Sequence, residues 1–228
     1  MRTLNACIAS ILVASSAAAS HAQDQGGLEE VTVTAQRRSQ SLQDVPIAIT
    51  AFTSEQLAAR QVFDTYDLVR NIPNLTGNAN VGVGTSSSLY VRGLGNAESI
   101  ATFDLPVGTY VDDVYISRQN HNNFSMFDVE RIEVLRGPQG TLFGRNTTGG
   151  AMNVILRAPG EEMGGYVEAG FGEYNQRSFR GTIDLPVSDT VLTKLSVYSI
   201  KDDGYVSNPI TGEDDINATD TMGVRGSM

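Results

Sequence analysis

Tryptophan is absent from the 228 residues, cysteine occurs once and histidine twice. A single cysteine cannot close a disulfide within the chain. Basic residues are scarce as well: 16 lysines and arginines stand against 26 aspartates and glutamates, a net charge of -10. That balance argues against a nucleic-acid partner, which needs a basic face to neutralise phosphates. No run approaches ~18 consecutive apolar residues, so no membrane helix is expected. Neither G-x-x-x-x-G-K-S/T nor G-x-G-x-x-G occurs, which removes the usual phosphate-cradling loops.

The first 22 residues read as a leader. Arg2 gives a short positive start, Ala6 to Ala19 is an almost unbroken small-apolar run, and Ser20-His21-Ala22 ends in the small residues that a signal peptidase reads. A short buried helix is the rival reading, but the order of charge, apolar run and small residues favours a signal peptide and hence export. Its removal takes away Cys7 and His21 and leaves 206 residues starting near Gln23, with His121 as the single histidine. No cysteine nucleophile and no Cys/His zinc site can then be built. A Ser-His-Asp triad would need His121, which sits in the polar run Gln119-Asn120-His121-Asn122-Asn123 and reads more simply as an exposed loop residue. We expect no enzyme, no catalytic residues, no cofactor and no metal.

Composition divides the remainder into three stretches. Residues 23–43 are polar, with one β-branched island at Glu30-Val31-Thr32-Val33-Thr34-Ala35. Residues 44–159 mix helix and strand signals. Thr53 with Gln56 makes a capping box before Leu57, a second short helix is expected from Thr65 to Ile72 with Pro73 as its stop, and Ser125 and Asp128 can cap a third. Strand-like runs cover Ser88–Arg92, Val107–Ile116, Ile132–Leu135 and Ala151–Arg157, and long loops are expected around 76–87 and 95–105. Ten glycines between Gly137 and Gly172 predict turns and close-packed backbone rather than helix.

From residue 160 onward the pattern changes. Phe179, Gly181, Ile183 and Leu185 alternate with Ser178, Arg180, Thr182 and Asp184, and Val167, Ala169 and Phe171 alternate with Tyr166, Glu168 and Gly170. Met222 and Val224 fall in a third such run, and Val191 to Lys201 in a blurrier one. Period-2 alternation gives one apolar and one polar face, as in a soluble antiparallel sheet or a membrane barrel. Segments near the ~9–11 residues of a tilted membrane strand, a short turn at 186–190 and a long polar loop at 202–220 favour the barrel.

These residues together resemble the TonB-dependent outer-membrane receptors, most closely those for iron complexes. Glu30-Val31-Thr32-Val33-Thr34-Ala35 is similar to a TonB box. Asp44-Val45-Pro46-Ile47, Leu89-Tyr90-Val91-Arg92-Gly93 and Tyr110-Val111-Asp112-Asp113 are similar to parts of the plug. The longest likeness runs from Val129-Glu130-Arg131-Ile132-Glu133-Val134-Leu135-Arg136-Gly137-Pro138 through Leu142-Phe143-Gly144-Arg145-Asn146 to Gly149-Gly150-Ala151-Met152-Asn153. The resemblance implies an α+β plug domain at 44–159, a small mixed sheet with short helices and long loops. The first three or four antiparallel strands of a truncated transmembrane β-barrel would follow at 160–228.

It also implies a function: uptake of a scarce ligand, a ferric siderophore in the commonest case, at the cell outer membrane, energised through the periplasmic protein TonB. Partners would be TonB, the ligand and outer-membrane lipid. In such a receptor residues 30–35 add as a strand to TonB, which suits an alternating β-branched tether. Arg92 and Arg136 would pair with carboxylates on the barrel wall, a task for which guanidinium forks are suited. The ligand-binding residues stay open, with Arg118 and His121 as candidates on apical loops. Asp112 and Asp113, as strand neighbours, would face opposite sides and share no substrate.

About 22 strands of ~10 residues need ~220 residues, and only 69 follow Pro159. The chain is therefore expected to be the N-terminal part of such a receptor and not to transport by itself. The alternative is a self-contained exported plug-like binding or signalling module in the periplasm. A small barrel assembled from several chains and an exported hydrolase fit less well. N-terminal sequencing of the exported protein should begin at or near Gln23; a start at Met1 would overturn the export reading.

Overall fold

The computed structural model describes residues 31–79, 86–98, 100, 102–210, 212 and 216–228. The expected leader, Glu30 and part of the expected loop at 76–87 lie outside the described residues. Thr32–Met228 forms one compact unit.

Two short strands open it, β1 (Thr32–Val33) and β2 (Gln40–Ser41), followed by a 3-10 turn at Leu42–Asp44 and β3 (Ile49–Thr53). Helix α1 (Ser54–Ala59) starts where the capping box was read: the Thr53 hydroxyl accepts the Gln56 N–H. The second expected helix is a 3-10 helix, Tyr66–Arg70. Asp64 and Asp67 close its start by accepting each other's N–H groups. Burial pushes the Asp64 carboxyl above its ordinary value, against the lowering effect of the Asp67 amide.

Strands β4 (Leu75–Ala79), β5 (Ser87–Val91) and β6 (Leu94–Gly95) form a three-stranded antiparallel sheet. Next come β7 (Val107–Val111), β8 (Val114–Ile116), a 3-10 turn at Gln119–His121 and β9 (Val129–Arg136). Helix α2 (Gly140–Phe143) and β10 (Gly150–Leu156) follow. A five-stranded sheet takes the order β3-β9-β10-β7-β8, with β10 parallel to β7 and every other pair antiparallel. The mixed sheet of the expected α+β plug is this one.

The apolar core lies between these sheets and α1. Phe52, Leu57, Leu68, Val91, Ile132 and Val154 belong to one buried cluster. Strand β9 sits near the middle of the five-stranded sheet, and Ile132, Glu133, Val134 and Leu135 are all buried, so both of its faces are covered.

Three local readings are corrected. No helix starts at Ser125 or Asp128: Ser125 bridges to Asp64, and Asp128, at φ 54, turns the chain into β9. The backbone is committed to the sheet there, so the capping side chains have no helix to cap. Asp112 and Asp113 are not strand neighbours but the two turn residues between Val111 and Val114, both at positive φ as a two-residue hairpin requires. The glycine-rich stretch does contain a helical turn, α2. Its Phe143 ring packs on Tyr110, and the Tyr110 hydroxyl donates to the Phe143 carbonyl, so tertiary contact rather than propensity holds it.

The last four strands are β11 (Gly164–Phe171), β12 (Arg177–Ser188), β13 (Val191–Asp202) and β14 (Thr219–Ser227), an antiparallel meander in chain order. The turn expected at 186–190 shrinks to Asp189–Thr190, because β12 and β13 stay paired as far as Ser188 and Val191. The polar positions of the alternation face the plug: Arg180 lies over the Phe63 ring, and Lys194 and Ser196 meet the Asp128 carboxylate. The apolar positions face outward, with Val167 at 74% and Phe171 at 85% exposure. No helix among the described residues is long and apolar enough to cross a membrane.

Ile132→Ala should destabilise the chain by about 2–5 kcal/mol, read as a shift in its denaturant midpoint. A loss below ~1 kcal/mol would mean that β9 does not organise the core.

Candidate functional site

Residues 32–35 are docked, not free. Thr32 and Val33 pair with Ser41 and Gln40, and the Arg37 N–H closes the intervening turn on the Thr34 carbonyl at 2.8 Å. The segment alternates: Thr32 is exposed, Val33 and Ala35 are fully buried, and Thr34 is half-buried. Residues 32–35 thus form a segment packed on the second face of the mixed sheet.

Glu133 holds it there. One of its carboxylate oxygens accepts the Thr34 N–H at 2.7 Å and the Thr34 hydroxyl at 3.2 Å. The same oxygen accepts Nε of Arg131 at 2.9 Å, while Nη2 of Arg131 donates to the Thr34 hydroxyl at 3.2 Å. The Glu133 side chain is wholly buried, where a carboxylate persists only with donors converging on it. Beside it lies a cavity of about 350 Å³ lined by Thr34, Arg37, Arg131, Asp112, Asp113 and Asn153 among others. Arg37 spans this edge, pairing with Asp113 at 3.0 Å and lying over the Phe143 ring. That ion pair is half-exposed and contributes at most ~1 kcal/mol. Glu30 lies outside the described residues.

Arg92 reaches the turn that follows Arg136, although 45 positions separate it from Gly137. Arg92 and Gly93, both at positive φ, form the hairpin turn between β5 and β6, and the Arg92 N–H donates to the Asn74 carbonyl. The Arg92 guanidinium lies 3.6 Å from where a Cβ on Gly137 would stand. Gly137 itself, at φ 110, turns the chain after β9. Arg136 points its guanidinium at the carbonyls of Pro73 and Ile49, at 3.4 and 3.5 Å. Among the described residues neither arginine forms an ion pair, so β11–β14 offer them no carboxylate.

Arg118 precedes the 3-10 turn at Gln119–His121 and His121 ends it; both are exposed and line a cavity of about 210 Å³ together with Glu98, Ile100, Phe103 and Leu105. The turn is pinned from below. Gln119, buried, donates to the Ser88 hydroxyl and the Asn96 carbonyl, and the buried Asn122 side chain accepts the Ser87 N–H at 2.9 Å. A polar run that reads as solvated loop thus contains two buried anchors. Only the long-range partners reveal them. Glu133 had a signal in the sequence, a charge in a run otherwise fit for the core, but nothing there shows that Thr34 would meet it.

Residues 41–151 match the family model of the TonB-dependent receptor plug domain. The pesticin receptor of Yersinia enterocolitica is 30% identical over 198 residues, covering 86% of this chain and 28% of its own length. The vitamin B12 transporter BtuB of Vibrio vulnificus is 25% identical over 193 residues, covering 84% of this chain and 31% of its own. The crystal structure of the ferric yersiniabactin uptake receptor FyuA from Yersinia pestis superimposes with a TM-score of 0.68 at 28% identity, over 77% of this chain and 27% of that one. The pyoverdine receptor FpvA of Pseudomonas aeruginosa shares the fold, with a TM-score of 0.67 at 21% identity, over 81% of this chain and 26% of its own. The fold is that of a receptor plug beside the opening strands of its wall. The chain belongs to the TonB-dependent outer-membrane receptors, and spans under a third of the length of each relative named here.

Glu133→Gln keeps the shape and removes the charge. The Thr34 amide should then exchange its hydrogen about tenfold faster while the Leu135 amide stays unchanged. Unaltered Thr34 exchange would mean that Glu133 does not hold the segment.

Proposed function

We propose that this chain is the N-terminal part of a receptor for energy-coupled uptake of a scarce ligand, a ferric siderophore, across the outer membrane. It carries a signal peptide at 1–22, and Glu30–Ala35 is the box that TonB grips. The observation that carries this reading is the edge-strand pairing of Thr32 and Val33 at the front of a plug. A segment held by two strand residues, Thr34 and buried apolar anchors can exchange its present partner for the open sheet edge of another protein. Undocking from Glu133 then precedes the grip.

The ferric-complex reading draws support from the ferric yersiniabactin receptor at 28%, ahead of the vitamin B12 transporter at 25%. In this reading Arg118 and His121, beside Phe103, are ligand contacts of the apical loops. Arg92 and Arg136 find carboxylates on wall strands beyond β14. The outward apolar residues of β11–β14 touch lipid, where a self-contained periplasmic module would leave them in water.

Val31→Pro in the full-length receptor should abolish energy-dependent uptake of radioiron from its ferric siderophore and leave surface binding intact. Proline removes a ladder donor and fixes φ, so strand addition fails. Equal loss of binding would make the segment structural instead.

A further inference from the structure

We propose that Asp128 is the residue that fastens the plug to its wall. The carboxylate is completely buried, and every partner it has across the sheet comes from β13 or β14. One oxygen accepts Nζ of Lys194 at 2.6 Å; the other accepts the Ser196 hydroxyl at 2.5 Å and Nη2 of Arg225. Arg225 also donates to the Asp128 carbonyl at 2.9 Å. That carbonyl takes the Arg157 N–H at 3.0 Å as well, and Lys194 reaches the Arg157 carbonyl.

Strand geometry explains why three donors converge. Lys194 and Ser196 are two apart on β13 and so share its inner face, and Ser196 stands opposite Arg225 in the β13–β14 register. Tyr198, next on that face, packs its ring 4.3 Å from Phe127, and the Arg225 guanidinium lies over the same Phe127 ring. Phe127-Asp128 is thus a knob inserted into the wall, aimed by the left-handed backbone of Asp128 (φ 54). Another tie across this boundary, Arg180 over the Phe63 ring, is a single contact.

The polarity is the reverse of the pairing that the resemblance implies for Arg92 and Arg136. Here the plug supplies the carboxylate and the wall supplies the cations. One carboxylate faces two cations, so its loss leaves Lys194, which is 1% exposed, without a counter-charge. Asp128 also stands directly before β9, whose Glu133 docks residues 32–35, so that dock and wall attachment lie on one strand.

The chain has no tryptophan, so Phe127→Trp provides a single indole at the boundary, excited selectively over the eight tyrosines. The measurement uses the whole chain in detergent micelles. Asp128→Asn keeps the side-chain shape and the tolerance of left-handed backbone and removes only the charge. It should shift the docking equilibrium by on the order of 100-fold, read as red-shifted emission and stronger acrylamide quenching. Adding Lys194→Met should recover part of the loss, since the buried cation is then gone. If Asp128 serves only to turn the backbone, Asp128→Asn leaves the emission unchanged and its effect simply adds to that of Lys194→Met; either result overturns the proposal. Should Asp128→Asn prevent folding, Lys194→Met with Arg225→Met leaves the plug sequence intact. Exposure of the fluorophore with a plug that still melts cooperatively supports the fastening, and unchanged emission overturns it.

Discussion

A strand buried on both faces can carry charge only where partners converge on it, and β9 is such a strand. Its Ile132 and Val134 enter the core, while Glu133 and Leu135 enter the other face. The cost of an unpaired buried carboxylate is several kcal/mol, so Glu133 requires donors. Arg131, two residues away on the same face, supplies one and the Thr34 backbone another. From that requirement follows the position of residues 32–35, which are held besides by a two-residue ladder and the buried Val33 and Ala35.

The wall obeys a different constraint. Period-2 alternation obliges β11–β14 to present one polar and one apolar face, and the plug takes the polar one. Arg180, Lys194, Ser196 and Arg225 therefore meet plug groups, whereas Phe171, Leu195, Met222 and Val224 point away. The outward face is where a bilayer would supply the missing apolar surroundings. This arrangement inverts the logic of a water-soluble sandwich, in which the apolar faces would close on each other.

Much of the fold was legible from local chemistry. Thr53 and Gln56 announced α1, Pro73 marked the end of the second helical piece, and the odd–even pattern of 177–185 gave the faces of β12 as they stand. Where the reading failed, long-range contact decided. Asp112-Asp113 looks like part of one strand until β8 folds back on β7, and the residues of α2 look like a turn until Phe143 finds Tyr110. Asp128 reads as a helix cap because aspartate favours caps, yet three donors more than sixty positions away claim its side chain.

By itself the sequence determined what local forces decide: the alternating faces, the cap, the turn-forming glycines and a motif order specific enough to indicate the family. Tertiary structure alone decided which charges are buried and who answers them. Thr34 with Glu133, Arg92 with Gly137 and Asp128 with Lys194 are separated by 99, 45 and 66 positions. Periodicity assigns a residue to a face but says nothing of the surface opposite that face, and a buried charge takes its meaning from that surface.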